Sequence, residues 1–314
     1  MQICVRLSND GFFTNFNMAL DWLAFGDEHG IDVGIDWSLS QTQSDWDFSY
    51  GDVGGGNLWN NFFEPVPCVR ESDLIVSQPW TPNLGGFRGY ALYNNVGKTS
   101  FAEARHRLHD SLRRHVRLLP DIIARINHFA DSIPAAQVEI GVHLRNPIES
   151  THLYCRPPPL SRYFDCIDQI VRELPSGTSW RIFAASDREG FIEALAQRYP
   201  ERVFSQSDIS RALADGAEIH RQGGRGRSLG LEVISDCWLL SSSNYLVGVQ
   251  SGVCLAACAI NTQFQFVNAQ TFSVRLAGRA EYELKKLYCD LFEGPSPDRI
   301  RATNLLRAIG RKAK

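Results

Sequence analysis

Apolar and polar positions along this chain follow two periods. Several short runs are apolar almost throughout and rich in β-branched residues, the pattern of strands buried on both faces of a parallel sheet. They are Ile3-Cys4-Val5, then residues 31–37, 138–145, 180–185, 203–204, 245–249 and 264–267. Between them, apolar residues recur at three- and four-residue steps, which predicts helices over 18–25, 101–119, 120–130, 160–174, 189–198 and 229–241. A helix of small residues follows Ser251, and two more are predicted at 281–292 and 298–311. Alternating strands and helices imply an α/β fold, doubly wound in the second half. The polar stretch Ser8–Asn17 reads as a turn, and residues 66–100, with their prolines and glycines, read as loop.

A length of 314 residues suits two domains of roughly 150 residues each. The segment Asp131-Ser132-Ile133-Pro134 reads as their link. The expected boundaries are 1–134 for an N-terminal domain, 135–290 for a C-terminal domain, and 291–314 for a C-terminal helix with a basic tail. At 44% hydrophobic and 21% charged, with a net charge of −3, the composition is that of a globular protein with no global pull toward nucleic acid. No run of about 18 apolar residues is present to span a membrane, and the first residues lack a signal-peptide pattern. A cytoplasmic setting with reduced thiols is the expectation for the eight cysteines, none of which forms a CxxC pair. No ligand cluster has metal-like spacing, so no metal is expected. The tail residues Arg299, Arg301, Arg307, Arg311, Lys312 and Lys314 would allow weak contact with an anionic membrane surface.

Candidate chemistry gathers where the buried strands end. The run at 138–145 closes on His143 and Arg145, two positions apart and so on one side of the strand. Ligands of open α/β sheets collect at such carboxyl ends, and the arginine fork suits phosphate oxygens. A local ion pair would explain the same arginine. Ser251 stands at a helix start, where free N–H groups and the dipole favour an anion; in a parallel sheet that turn opens at the same edge as Arg145. The basic, glycine-bearing segment Arg221–Ser228 offers Arg225 and Arg227 as a diphosphate clamp, or is simply a surface loop. Glu232 and Asp236 lie one helical turn apart, placed either for a base or ribose or for solvent. Between residues 36 and 65, carboxylates and aromatics interleave, among them Asp36, Trp37, Asp45, Trp46 and Trp59. Such a mixture suits sugar binding or a well-packed loop equally. The arginines and histidines of the 101–119 helix read as a solvated face.

Taken in order, Ile140-Gly141-Val142-His143-Leu144-Arg145, Ala185-Ser186-Asp187 and the run from Asp236 through Tyr245-Leu246-Val247 to Ser251 and Cys254 resemble the fucosyltransferases. That family includes the rhizobial nodulation enzyme and the α1,6-fucosyltransferases, with the protein O-fucosyltransferases more distant. Ile35-Asp36-Trp37 and Phe62-Phe63-Glu64-Pro65-Val66 extend the likeness into the first half. The resemblance implies a GT-B fold, two Rossmann-like domains facing a cleft. It implies inverting, metal-independent transfer of fucose from GDP-fucose to a glycan or small-molecule acceptor, with no cofactor. Arg145 and Ser251, with Gly252 beside it, would hold the β-phosphate; His143 and Asp236 would contact guanine, and Asp187 would join the nucleotide site. The chain departs from the family at Asn146-Pro147-Ile148, where an acidic residue is usual, and at Gly252, which replaces a polar residue of some relatives. Glu149, His152 and Asp36 are therefore the candidate bases for the acceptor hydroxyl. A transferase using another nucleotide sugar, or a non-catalytic glycan- or nucleotide-binding module, would carry many of the same features.

Overall fold

The computed structural model describes residues 2–7, 11–38, 56–68, 74–76, 101–144, 158–207, 209, 211, 226–249 and 251–270. They fall into two compact units, one made of described residues up to Leu119 and the other beginning at Pro120. The helices expected at 281–292 and 298–311 and the basic tail lie outside the described residues.

In the first unit, β1 (Gln2–Arg6), α1 (Phe12–His29) and β2 (Asp32–Asp36) form a strand–helix–strand unit, followed by a 3-10 turn (Leu58–Asn61), β3 (Leu74–Val76) and α2 (Phe101–His115). The strands are parallel in the order β2-β1-β3. Two sequence expectations need correction here. The polar stretch expected to be a turn is helical from Phe12 onward, because Asn15 and Asn17 are buried instead of solvated and Gly11 caps the helix through its carbonyl. β3 lies inside the stretch read as loop. α1 ends at Gly30, which takes the left-handed conformation (φ 63°) that a side chain disfavours.

The aromatic residues after β2 resolve as packing. Trp37, Trp59, Phe62 and Phe63 are fully buried, and their rings meet Phe12 and Phe16 of α1; Trp59 and Phe63 have centroids 4.4 Å apart. Asn57 ties the segment to β2, donating to Ile35 O at 2.7 Å while accepting from Trp37 N and Trp59 N. Trp37 and Trp59 are thus core, not sugar platforms; Asp45 and Trp46 lie outside the described residues. The basic helix α2 is likewise no merely solvated face. It packs on α1, where His115 and Arg114 both reach Asp27 at 2.8 Å and Arg107 reaches Glu28 at 3.3 Å. Burial would raise the Asp27 carboxyl, but these partners outweigh it and hold it below its ordinary value.

Reduced thiols throughout are also not what is found. Cys4 of β1 and Cys68 are joined as a disulfide, their Cα atoms 5.9 Å apart. The connection depends on Gly34, over which the backbone of Pro67 and Cys68 lies so closely that a Cβ would meet Cys68 Cα at 2.5 Å. Ile35 N donates to Val66 O at 3.0 Å, fixing the same segment along β2.

The second unit opens with α3 (Pro120–Ser132), so the expected link at 131–134 is partly helix and the boundary falls before Pro120. The reason is packing, since α3 lies against α6 of this unit. There follow β4 (Val138–Leu144), α4 (Leu160–Glu173), β5 (Trp180–Ser186), α5 (Glu189–Arg198), β6 (Val203–Phe204), α6 (Gly226–Ser241), β7 (Tyr245–Gly248), α7 (Gly252–Ile260) and β8 (Gln265–Asn268). All five strands are parallel, in the order β6-β5-β4-β7-β8. Ile140, Val142, Leu144, Ile182, Ala184 and Val247 from the sheet pack with Tyr163, Ile167 and Ile170 of α4 as a continuous core. At the amino ends of the strands, Arg181 pairs with Glu139 at 2.5 Å and donates to the carbonyls of Ile133 and Pro134. Both units are therefore α/β with parallel sheets, the Rossmann-like form that the family resemblance implies. No helix among the described residues is long and apolar enough to cross a membrane.

Replacing Gly34 with alanine should destabilise the protein by about 1–3 kcal/mol in urea titration, since the obstructing atoms are backbone and cannot rotate away. Alkylation without reductant, followed by peptide mapping, should leave Cys4 and Cys68 unmodified, and reductant should lower the melting temperature.

Candidate functional site

The chain leaves β4 toward β5 and β6, then returns on the other side of β4 to build β7 and β8. The strand order therefore reverses between β4 and β7, and the crevice at their carboxyl ends is where ligands of open parallel sheets bind. His143 is the penultimate residue of β4, and Gly248 ends β7. Ser251 caps α7, its Oγ accepting from Cys254 N at 3.2 Å. The same Oγ lies 3.3 Å from His143 Nδ1, so the two candidates meet across the reversal point. Gly248 permits this approach: a Cβ there would meet Cys254 Sγ at 2.7 Å and His143 Cβ at 3.6 Å. α7 itself carries mostly small side chains, with Cys254, Ala256, Ala257, Cys258 and Ala259 buried beside Leu255, and it packs on α6.

The tautomer decides what this pair offers. With the proton on Nδ1, His143 donates to Ser251 Oγ, which leaves the hydroxyl proton of Ser251 to donate elsewhere. With the proton on Nε2, Ser251 donates to Nδ1 instead. In the first arrangement, the hydroxyl can donate to an anion at the start of α7, where the helix dipole favours negative charge. The neighbouring strand end is fixed by Ser186, whose Oγ donates to Leu144 O at 2.9 Å and accepts from Arg188 N at 3.1 Å. Asp187 sits at the bend just past β5.

Asp236, on α6, marks another part of this edge. Its Oδ1 accepts from Nε2 of Gln206 at 2.7 Å, and Gln206 lies two residues beyond β6. Burial pushes the Asp236 carboxyl up to about 7. The Gln206 amide, Arg211 and Arg125 draw it down, while Glu232 adds to the rise. Nothing in the apolar pattern marked Gln206 or Arg211 in advance. Both stand in a polar stretch that follows a two-residue strand, and only the fold shows their side chains to be buried.

The other predicted residues separate. Arg227 donates to Asp121 at 2.6 Å, so within the described structure its guanidinium is engaged at the start of α3 instead of standing as a free clamp; that guanidinium holds the Asp121 carboxyl below its ordinary value. Gly226 and Arg227 belong to α6, not to a loop. Asp36 belongs to the first unit, at the end of β2 beside its register partner Arg6, with Arg6 Nε 3.8 Å from Asp36 Oδ2. Both line a cavity of about 340 Å³ with Ile35, Asn60 and Ile75, and Asp36 Oδ1 accepts from Ser38 N at 3.1 Å. Arg145, Glu149, His152 and Arg225 lie outside the described residues.

No protein-family model matches the chain, and no curated protein matches it. Among solved structures, it is similar to the fucosyltransferase NodZ from Bradyrhizobium, with 18% identity, a TM-score of 0.49, and 83% of this chain and 93% of that chain covered. It is also similar to Arabidopsis thaliana FUT1 in complex with GDP, at 12% identity, TM-score 0.49, covering 85% and 69%. For POFUT1 in complex with GDP-fucose, the values are 9%, 0.47, 85% and 97%.

An acid raised by burial binds its proton more tightly folded than unfolded, so Asp236 removes stability as pH climbs from about 4 to about 7. Asp236→Asn should therefore melt progressively higher than the parent across that window. The difference should level off above it, as read by calorimetry at several pH values.

Proposed function

We propose that the chain is a glycosyltransferase that takes fucose from GDP-fucose and delivers it to a glycan or small-molecule acceptor, with inversion and without a metal. The observation that carries this reading is the meeting of His143 and Ser251 at the strand-order reversal, on the amino end of α7. Departure of a nucleoside diphosphate builds negative charge on its β-phosphate, and donors already fixed at that point stabilise the departure without reorganising. Ser251 and the first amides of α7 supply neutral donors. Arg145, which follows Leu144 directly in sequence, supplies the permanent charge that other transferases obtain from a cation. His143 orients Ser251, and with Asp236 it serves the guanine base; Asp187 completes the nucleotide side.

The acceptor hydroxyl must lose a proton as it attacks, and Glu149, His152 and Asp36 are the groups proposed for that step. Asp36 has a carboxyl oxygen beside Arg6 in a cavity large enough for a small ligand, at the lower end of the usual range of about 300–1,000 Å³. A carboxylate and a guanidinium side by side can take the donors and acceptors of a hydroxylated ring, while Ile35 and Ile75 offer apolar walls.

Calorimetry with GDP, UDP and CMP tests the nucleotide. GDP should bind tightest, and Arg145→Ala should weaken it by about 30- to 100-fold. Tighter binding of UDP or CMP would end the fucosyl reading. Release of fucose or its transfer from labelled GDP-fucose separates an enzyme from a binding module, for the module would bind GDP and turn over nothing.

A further inference from the structure

Behind Asp236 stands a chain of buried polar groups that the proposed transfer leaves unused. Gln206 is 2% exposed, and its side chain donates to Asp236 Oδ1 at 2.7 Å. Its backbone carbonyl accepts from Nη2 of Arg211 at 2.6 Å. The Arg211 side chain is itself 6% exposed and ends on Glu189 Oε2 at 3.1 Å, at the first residue of α5. Glu189, Arg211, Gln206 and Asp236 thus form a relay from the start of α5 to the middle of α6. Gln206 and the Arg211 side chain are buried, whereas Glu189 is 44% exposed, and burying polar groups is costly unless neighbours satisfy them. Among the described residues, the Gln206 amide is the hydrogen-bond donor to Asp236, so one carboxyl oxygen is clamped and the other remains for a ligand.

The chemistry of that second oxygen depends on charge. A carboxylate only accepts, and it can take two neighbouring N–H groups at once. A carboxylic acid carries its own O–H, which would oppose one of them. On its pairing edge, guanine presents N1–H beside the 2-amino group; hypoxanthine presents N1–H alone, and adenine presents neither in that arrangement. We propose that Gln206 is the positioning residue of the base pocket: its amide holds Asp236 as an oriented carboxylate, and that carboxylate selects guanine by accepting the N1–H and 2-amino protons. This rests on the GDP reading above, and it adds the group that sets base preference from behind the contact.

The groups acting on Asp236 come from three sides. Arg211 follows β6, Arg125 is on α3, and Glu232 is one turn away on α6. Burial leaves the acid near neutrality, so GDP affinity should fall as pH drops through about 7. Removing the amide removes a group that favours the charged form, which moves this acid limb to higher pH.

The test is calorimetric binding of GDP and of inosine diphosphate to the full chain from about pH 5.5 to about pH 8.5, with thermal melts to establish folding. The parent should prefer GDP and lose the preference on the acid side. Gln206→Leu should shift the limb upward and weaken GDP by roughly tenfold at neutral pH, while inosine diphosphate changes less. Gln206→Glu, nearly the same shape but a second carboxylate, should shift it further; this variant carries the test if the leucine form does not fold. Asp236→Asn should have no acid limb. Normal GDP binding with a pH profile unmoved in both Gln206 variants overturns the positioning role alone. A parent that binds no GDP at any pH overturns the nucleotide reading and this proposal with it.

Discussion

The parallel pairing of β4 with β5 on one side and β7 on the other is the constraint from which the second unit follows. Because the chain travels outward on one side and returns on the other, connections diverge above β4 and leave a crevice at its carboxyl end. The two ends of the sheet are then chemically unequal. At the amino end, Arg181, Glu139, Ser243 and the pair Gln137–Ser179 satisfy one another. At the carboxyl end, a hydroxyl, an imidazole and a helix start converge.

Charge counted along the sequence is a poor guide to such a place. Arg107, Arg114 and His115 answer the acidic end of α1, and Arg227 answers Asp121. Each is a cation whose field is already met nearby. The pair that meets at the crevice, His143 and Ser251, is joined by a hydrogen bond instead of an ion pair, and Asp236 on α6 is unusual because burial pushes its carboxyl up to about 7.

The second unit was the more legible in sequence for a physical reason. Strands buried on both faces, such as β4 and β5, are continuous apolar runs, and α4 and α5 show a clear helical period. The first unit hides more. α1 buries Asn15, Asn17 and Asp21 alongside its phenylalanines, so its first turns imitate a polar loop. Trp37 and Trp59 sit among carboxylates in sequence but among phenylalanines in space. Cys4 and Cys68 are 64 residues apart and join only because Gly34 lets a distant segment settle on β2. Among the candidate residues, His143 and Ser251 were legible from a strand end and a helix start, and Asp236 from its place one turn from Glu232 and from the family resemblance. Gln206 was not, because only the fold sets its side chain against Asp236 of α6.

α7 carries one further implication. Its alanines and cysteines are all but sealed from solvent, so its seat against α6 is set largely by methyl and thiol groups. Bulk anywhere along that inner face would lift the whole rod, and with it the crown of amides at its tip. The reach of an electrostatic device is here governed by the thickness of hydrocarbon beneath it, several residues away from any charge.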